Sequence, residues 1–407
     1  MKKSVLFLVQ NLPVPQDRRV WMEAAALQRN GFEVSVISPR NKSQSKFDVI
    51  DGIFIYRYLK PPKSEGYFDY LWEYGYSLLN TMILAVKVYF QRGFSVIHTA
   101  NPPDFFFLVA LLFKPFGVKF VYDQHDLMPE MLLARFKKSK KHFLYKILLY
   151  LEKLSYKVAD VHIATCQSGL EKILSRVKDR KKSFIVRSVP DKNIISKKLA
   201  DKVLADAAKK KFRYICSYIG VMGPQDGVDK LLGSIKIIVR DMGRKDIGFV
   251  LMGDGDDFER LKNMAKKFGI ESNVIFTGWA DAKVISTYLY SSQVGLMPEP
   301  RNEYTNNSLH KKVLEYMYAG LPLVAYDLKE AKRSAGEAAI FVKNNNELKF
   351  AKAILKLIDD PGLRLTKGKY GQERVKNNFR EESSREELMT AYEFIFNNPG
   401  IMIFETK

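Results

Sequence analysis

The sequence predicts an α/β protein made of two doubly wound units in tandem, and three observations carry that prediction. With 407 residues, the chain is longer than one hydrophobic core commonly serves, about 150 residues. Hydrophobic residues make up 46% and charged residues 27% of it, which places it among globular proteins and excludes disordered and collagenous chains. Short apolar runs alternate with amphipathic stretches from end to end, the rhythm of βαβ units in which helices cover both faces of a mostly parallel sheet. Sites in such folds lie beyond the carboxyl ends of the strands, so a ligand between the two units is expected.

The first half opens with VLFLV at 5–9, a continuous apolar run suited to a buried strand. It is too short for a secretory signal, and no small-residue cleavage site follows. A helix is expected at 18–30, strands at 33–38 and 53–58 (the latter in a small hairpin), and a long helix at 68–92. Strands at 95–98, 119–122, 161–165 and 183–187 then alternate with helices at 104–113 and within 128–158. The apolar run 105–113 ends at Lys114, short of the roughly 18 residues that span a bilayer, so no membrane crossing is expected.

The second half restarts the pattern. Strands are expected at 213–219, 248–252, 274–277, 295–298 and 322–325, with helices at 227–240, 257–268, 282–291 and 309–319 and a largely helical remainder. Between the halves, 188–212 is lysine-rich without a clean strand and reads as a linker.

Sixty-six Lys and Arg against 45 Asp and Glu give a net charge of +21, which calls for an anionic partner: nucleic acid, anionic lipid or a phosphorylated substrate. No base-stacking or helix-turn-helix signature accompanies the charge, and the tandem α/β rhythm argues against nucleic acid. Two cysteines, Cys166 and Cys216, are too few for a disulfide framework and indicate a reducing compartment. With five scattered histidines they offer no zinc-ligand spacing.

Two segments are suited to chemistry. In YICSYIGVMGPQDGVD (214–229) a strand enters a turn holding Gly220, Gly223 and Gly227, with Asp226 expected as N-cap of the next helix. Such a turn lets the backbone approach a ligand and offers amides to phosphate, although its spacing alone equally describes an ordinary βα turn. In NNSLHKKVLEYMYAGLPLVA (306–325) a polar loop feeds a helix that stops at Gly320 before Pro322. Lys312 and Glu315 share a face there, a cation for phosphate beside a carboxylate for ribose; Lys311 and Glu315 equally suit a surface ion pair.

Read together, IGVMGPQDGVDKLL, VLMGDGDDFERL, VIFTGWADAKVISTYLYSSQVGL, KVLEYMYAGLPLVAYDLKEAKRSAGEAA and NLPVPQDRRVWMEAAAL resemble the retaining glycosyltransferases of family 4, nearest the bacterial branch that builds exopolysaccharide, capsule or O-antigen units. The resemblance runs across nearly the whole chain, in order. It implies the GT-B fold, two Rossmann-like doubly wound domains facing a cleft. An acceptor-binding domain would span 1–190, a linker 191–212 and a donor-binding domain 213–380. A terminal helix within 381–407 would pack back on the first domain.

Site residues follow by the same resemblance. Of the family's two glutamates eight positions apart, the second falls on Glu315, implied to hold the ribose, and the first on Asn307, so donor-sugar contact passes to Asn307 or Ser308. The arginine and lysine that grip the diphosphate in relatives are Val221 and Asp226 here. Lys312 with the amides of Gly223 and Gly227 is the expected replacement. Gly253, Asp254 and Gly255 should lie near the base. His125, in DQHDLMPE, matches the histidine beside the transferred sugar. Asp17, Arg18, His98, Asn101 and Asp104 are expected to shape the acceptor pocket; turn formation around the prolines, or a solvated helix start, accounts for them equally well. Asp254-Gly-Asp256 resembles the metal-binding Asp-x-Asp of the other glycosyltransferase fold, but it follows a second-domain strand, so neither a metal nor another cofactor is expected.

Residues 131–158 hold eight Lys or Arg and one acid among Leu, Phe, Ile and Tyr, the composition of helices lying on an anionic bilayer, or of helices packed on the sheet with a basic solvated face. The sequence thus predicts a cytoplasmic enzyme, peripheral on the inner face of the plasma membrane, using a UDP-sugar and a polyprenyl-diphosphate-linked saccharide. A nucleotide-sugar 2-epimerase of the same fold and a non-catalytic basic adaptor on lipid are the alternatives.

Overall fold

A computed structural model describes residues 3–60 and 67–397. It divides into two compact units: the first runs to Pro129 and adds Ser139–Arg187 and the chain from Glu382, and the second joins Glu130–Lys138 to Ser188–Glu381. Residues 398–407 of the expected terminal segment lie outside the described residues.

The first unit follows the order β1 (Ser4–Leu8), α1 (Arg18–Arg29), β2 (Glu33–Arg40), β3 (Phe47–Ile50), β4 (Ile53–Leu59), α2 (Tyr67–Gln91), β5 (Val96–Ala100), α3 (Phe107–Phe113), β6 (Lys119–Gln124), α4 (Met128–Phe136, which belongs to the second unit from Glu130 on), α5 (Phe143–Val158), β7 (Val161–Ala164), α6 (Gln167–Val177) and β8 (Ser183–Ile185). Its sheet is ordered β3-β4-β2-β1-β5-β6-β7-β8 and is parallel except for the β3–β4 hairpin. Alternation along β1 sends Val5 and Phe7 into the core beneath α1, and Leu6 and Leu8 into the core beneath α2, α3 and α5. Because strand order reverses between β1 and β5, the segments after β1, β5 and β6 converge at one end of the sheet.

The second unit holds α7 (Lys202–Lys211), β9 (Tyr214–Ile219), α8 (Val228–Lys236), β10 (Ile247–Met252), α9 (Phe258–Lys267), β11 (Val274–Gly278), α10 (Ala282–Ser291), β12 (Val294–Met297), α11 (Lys311–Ala319), β13 (Leu323–Tyr326), α12 (Lys329–Ala335), β14 (Ala339–Val342), α13 (Glu347–Asp359) and α14 (Pro361–Asn378). The sheet order β11-β10-β9-β12-β13-β14 reverses at β9 and β12, so the segments following those strands meet.

Three details differ from the sequence reading. The lysine-rich stretch after 188 contains α7, capped by Asp201 accepting from Val203 and Leu204 N–H. Its buried side is only Ala205 and Ala208, too faint an apolar stripe to show against the lysines. The four-residue β14 adds an edge strand where helix was expected. Asp226 does not cap α8: Gly227, at φ +69°, holds that position, and the Asp226 carboxylate turns back to the Gly223 N–H.

The last helix, α15 (Glu381–Asn397), belongs to the first unit. Leu388, Ala391, Tyr392 and Ile395 join the core beneath α1. Glu387 is ion-paired with Arg187, and the Ser384 hydroxyl donates to the Arg187 carbonyl at 2.7 Å.

Candidate functional site

In the second unit the site grows from backbone packing at the strand reversal. Gly220 N donates to Met252 O at 3.0 Å and Met222 N to Asp254 O at 3.0 Å, which ties the turn after β9 to the turn after β10. The two turns can approach because their contact points are glycine: a methyl group on Gly253 (φ +139°) would collide with the Gly220 carbonyl. At Gly220 (φ +150°) a Cβ would stand 2.8 Å from Lys312 Nζ. The 220–227 turn and the start of α11 therefore lie against each other.

Lys312 is buried there. Its ammonium is ion-paired with Glu299 and lies 4.2 Å from the centre of the Tyr218 ring, a cation–π contact. Glu299 is 2% exposed, and its Oε2 has no hydrogen-bond partner among the described residues. His310 N δ1 stands 3.9 Å from Glu299 Oε1, and burial lowers the His310 pKa. Burial also pushes the Asp226 carboxyl up to about 7, with Lys312 opposing and Glu299 reinforcing the shift. Glu315 sits half-buried one helical turn from Lys312.

The other expected donor-site residues spend their groups locally. Asn307 Nδ2 donates to Glu303 O and Ser308 Oγ to Tyr304 O, each at 2.8 Å. Gly255 N donates to Asp254 Oδ1 at 2.7 Å. Two residues were not singled out by sequence. Glu299 lies in a loop without periodicity, where only its place between Pro298 and Pro300 hinted at a constrained turn. Trp279, 79% exposed, follows β11 beside the Gly253–Gly278 bridge.

In the first unit a charged network lies beneath the strand ends. Asp17 caps α1 by accepting from Val20 N–H at 3.2 Å, which seats Arg19 inside. The Arg19 guanidinium donates to both Asp123 oxygens at 3.2 and 3.1 Å and to Val186 O at 2.9 Å, and pairs with Glu23 at 2.9 Å. Burial alone would raise the Asp123 carboxyl; Arg19 and His125 outweigh it and hold it well below the usual range. Glu23 goes the other way, raised well above its usual value by burial despite Arg19.

His125, half-buried, places Nε2 2.6 Å from Asp123 Oδ2. The same nitrogen lies 3.0 Å from Arg19 Nε, so the His125 ring is held between the guanidinium and the carboxylate. Asn101 Oδ1 accepts from His125 N at 2.6 Å and Asp126 N at 3.0 Å, while Asn101 Nδ2 donates to Asp104 Oδ1 at 2.7 Å. Tyr122 also donates to that oxygen at 2.6 Å. Asn101 and Asp104 are thus buried beneath the His125 loop, supporting its backbone. His98 is wholly buried, stacked on Phe7 with Nδ1 2.9 Å from Tyr392 Oη. That position makes it a core residue with no face for an acceptor. Arg18 remains half-exposed beside the buried Arg19.

Glu23, His98 and Asp123 bring metal-ligand atoms within 4.8 Å of one another. The Arg19 guanidinium bonds to both carboxylates and supplies the positive charge a cation would bring, so this group does not suit a metal.

Comparison with known proteins agrees with this architecture. Residues 16–188 match the model described as Glycosyltransferase Family 4, and residues 213–360 that described as Glycosyl transferases group 1. The uncharacterized glycosyltransferase MJ1069 of Methanocaldococcus jannaschii is 25% identical over 295 residues, 72% of each chain. The capsular polysaccharide biosynthesis glycosyltransferase CapM of Staphylococcus aureus is 24% identical, over 62% of this chain and 66% of that one. Among solved structures, Anabaena Alr3699/HepE in complex with UDP superposes with a TM-score of 0.70 at 15% identity, covering 97% of this chain and 100% of its own.

Proposed function

Since the chain belongs to the family 4 glycosyltransferases and is a transferase of the GT-B fold, we propose that it moves a sugar, with retained anomeric configuration, from a UDP-sugar to a hydroxyl of a polyprenyl-diphosphate-linked saccharide. The product would enter a bacterial surface polysaccharide, as the capsular role of CapM suggests; the UDP held by HepE supports the choice of nucleotide. In this reading the second unit binds the donor and the first the acceptor.

One observation carries the reading: a buried lysine, Lys312, is laid against Gly220 of an amide-lined turn. Charge develops on the departing diphosphate during transfer, and preorganised amides with a cation stabilise it. Lys312 and the amides of Gly223 and Gly227 would face the phosphates and Glu315 the ribose. Asn307 and Ser308 would lie beside the sugar. The 253–255 turn would lie by the base, for which Trp279 offers a stacking face. His125, its ring held by Asp123 and Arg19, would orient the sugar. No enzymic nucleophile is invoked: the acceptor attacks from the face the phosphate leaves, and that phosphate takes the acceptor proton. Chemistry of this kind needs no bound metal, and we propose none.

The enzyme would work as a peripheral protein on the cytoplasmic leaflet. No helix of the described residues is long and apolar enough to cross a membrane. Three neighbouring helices of the first unit instead present apolar side chains outward: Ile83 and Phe90 on α2, Leu108 and Leu112 on α3, Phe143 and Tyr150 on α5. Spacings of seven or four residues set each pair on one helix face. Exposed Lys87, Lys146 and Lys153 lie among them, as suits an anionic bilayer.

Calorimetry against UDP-, GDP- and ADP-sugars tests the donor assignment, with binding of the UDP compound expected. Product analysis with donor alone tests transfer: the sugar nucleotide should come back unchanged apart from slow hydrolysis. An altered sugar would mark an epimerase.

A further inference from the structure

Of the two groups best placed to grip a diphosphate, each is already held by a carboxylate. Lys312 is paired with Glu299, and Gly223 N donates to Asp226 Oδ2 at 2.9 Å. The two situations differ in capacity. A lysine ammonium has three donors and can keep Glu299 while donating to a phosphate oxygen, whereas a backbone amide has one and must be released. Asp226, moreover, stands where the resemblance places a phosphate-gripping lysine, so its charge is of the wrong sign for the expected ligand.

We propose that the Asp226 carboxylate is a stand-in for a phosphate oxygen of the donor, and that the arriving diphosphate displaces it from the Gly223 N–H while Asp226 takes up one proton. The proposal rests on reading the second unit as the nucleotide-sugar site. Two ionised carboxylates and a doubly charged diphosphate cannot share a hollow with one buried lysine, so the most easily neutralised group yields. Asp226 is that group, its carboxyl already pushed up to about 7, chiefly by burial. The charges around it are Lys312 from α11, Glu299 from the segment after β12, and Arg135 from α4, which pairs with Asp256. Gln225 Nε2 donates to the same Oδ2 at 3.1 Å. One proton from buffer converts carboxylate to carboxylic acid, and no other bond changes.

The sign follows. Below about pH 7 Asp226 is already neutral and donor binding draws no proton; above it, each donor bound draws up to one, and affinity falls by up to about tenfold per pH unit. The test uses the full chain with UDP-glucose, GDP-mannose and ADP-glucose, diphosphate diesters of constant charge between pH 6 and 8.5. The tightest binder is titrated by calorimetry in two buffers of different ionisation enthalpy, with and without EDTA. We expect close to one proton taken up at pH 8 and an affinity loss of about tenfold from pH 7.5 to 8.5. Asp226→Asn, and Asp226→Ala should the first fold poorly, should flatten the profile and bind about thirtyfold more tightly at pH 8.5. Binding without proton uptake, binding that instead requires a divalent cation, or weaker binding by folded variants would overturn the proposal and leave the donor assignment standing. Binding of none of the three compounds would remove the donor assignment, and this proposal with it.

Discussion

Arg18 and Arg19 show how far a residue can be read alone. Side by side in NLPVPQDRRVW, both suit a solvated helix start, yet Arg19 is 5% exposed and bonds to Asp123, Glu23 and Val186. No periodicity distinguishes them, because the difference is made by a strand end a hundred residues away. His98 is the converse: a polar residue at a strand end that suggested a pocket and is packed between Phe7 and Tyr392. Removing its partner in Tyr392→Phe leaves a buried ring nitrogen unsatisfied, at about 1–3 kcal/mol. A fall in melting temperature of several degrees is expected, with donor affinity unchanged because the donor groups belong to the other unit. Calorimetry of both properties on one variant decides it.

At the scale of elements, α11 was legible and its surroundings less so. Gly320, at φ +79°, ends the helix where the sequence placed its stop, and Lys312 and Glu315 follow from helical spacing. The helix begins at Lys311, two residues later than expected, because the preceding loop is occupied by turns through Asn307 and Ser308. Glu299 could not be foreseen, since loop contacts depend on which strand ends the topology brings together. Lys312→Ala should weaken UDP-sugar binding about ten- to a hundredfold, the worth of charge-assisted hydrogen bonds at about 1.5–3 kcal/mol; unchanged affinity would refute its phosphate role. Glu315→Ala should lower turnover at least tenfold while circular dichroism stays that of the parent, and near-normal turnover would take Glu315 out of the site.

For the whole molecule, the two-unit α/β plan and the break near 188 were legible from alternation, but the attachment of 188–212 to the second unit was not. Lysine content made 188–212 resemble a tether, whereas Asp201 N donates to Thr287 Oγ1 at 2.7 Å and binds that stretch to the second unit. Composition left 131–158 open between helices lying on a bilayer and helices packed on the sheet; which side chains of α2, α3 and α5 face outward appears only once the helices are placed. A Phe90→Asp, Phe143→Asp double variant should lose at least tenfold in binding to phosphatidylglycerol vesicles in flotation assays, with nucleotide affinity retained. Equal flotation of parent and variant would show that this face does not meet lipid.

The return of α15 to the first unit has a consequence for biosynthesis. By the time Arg187 leaves the ribosome, every strand of the first sheet exists, but the groove that will receive Leu388, Ala391, Tyr392 and Ile395 stays open until the rest of the chain is made. At elongation rates of about 5–20 residues per second that interval is on the order of ten to forty seconds. Throughout it the nascent polypeptide leaves uncovered the apolar side chains beside α1 that α15 will bury, and truncation anywhere before α15 would leave them uncovered for good.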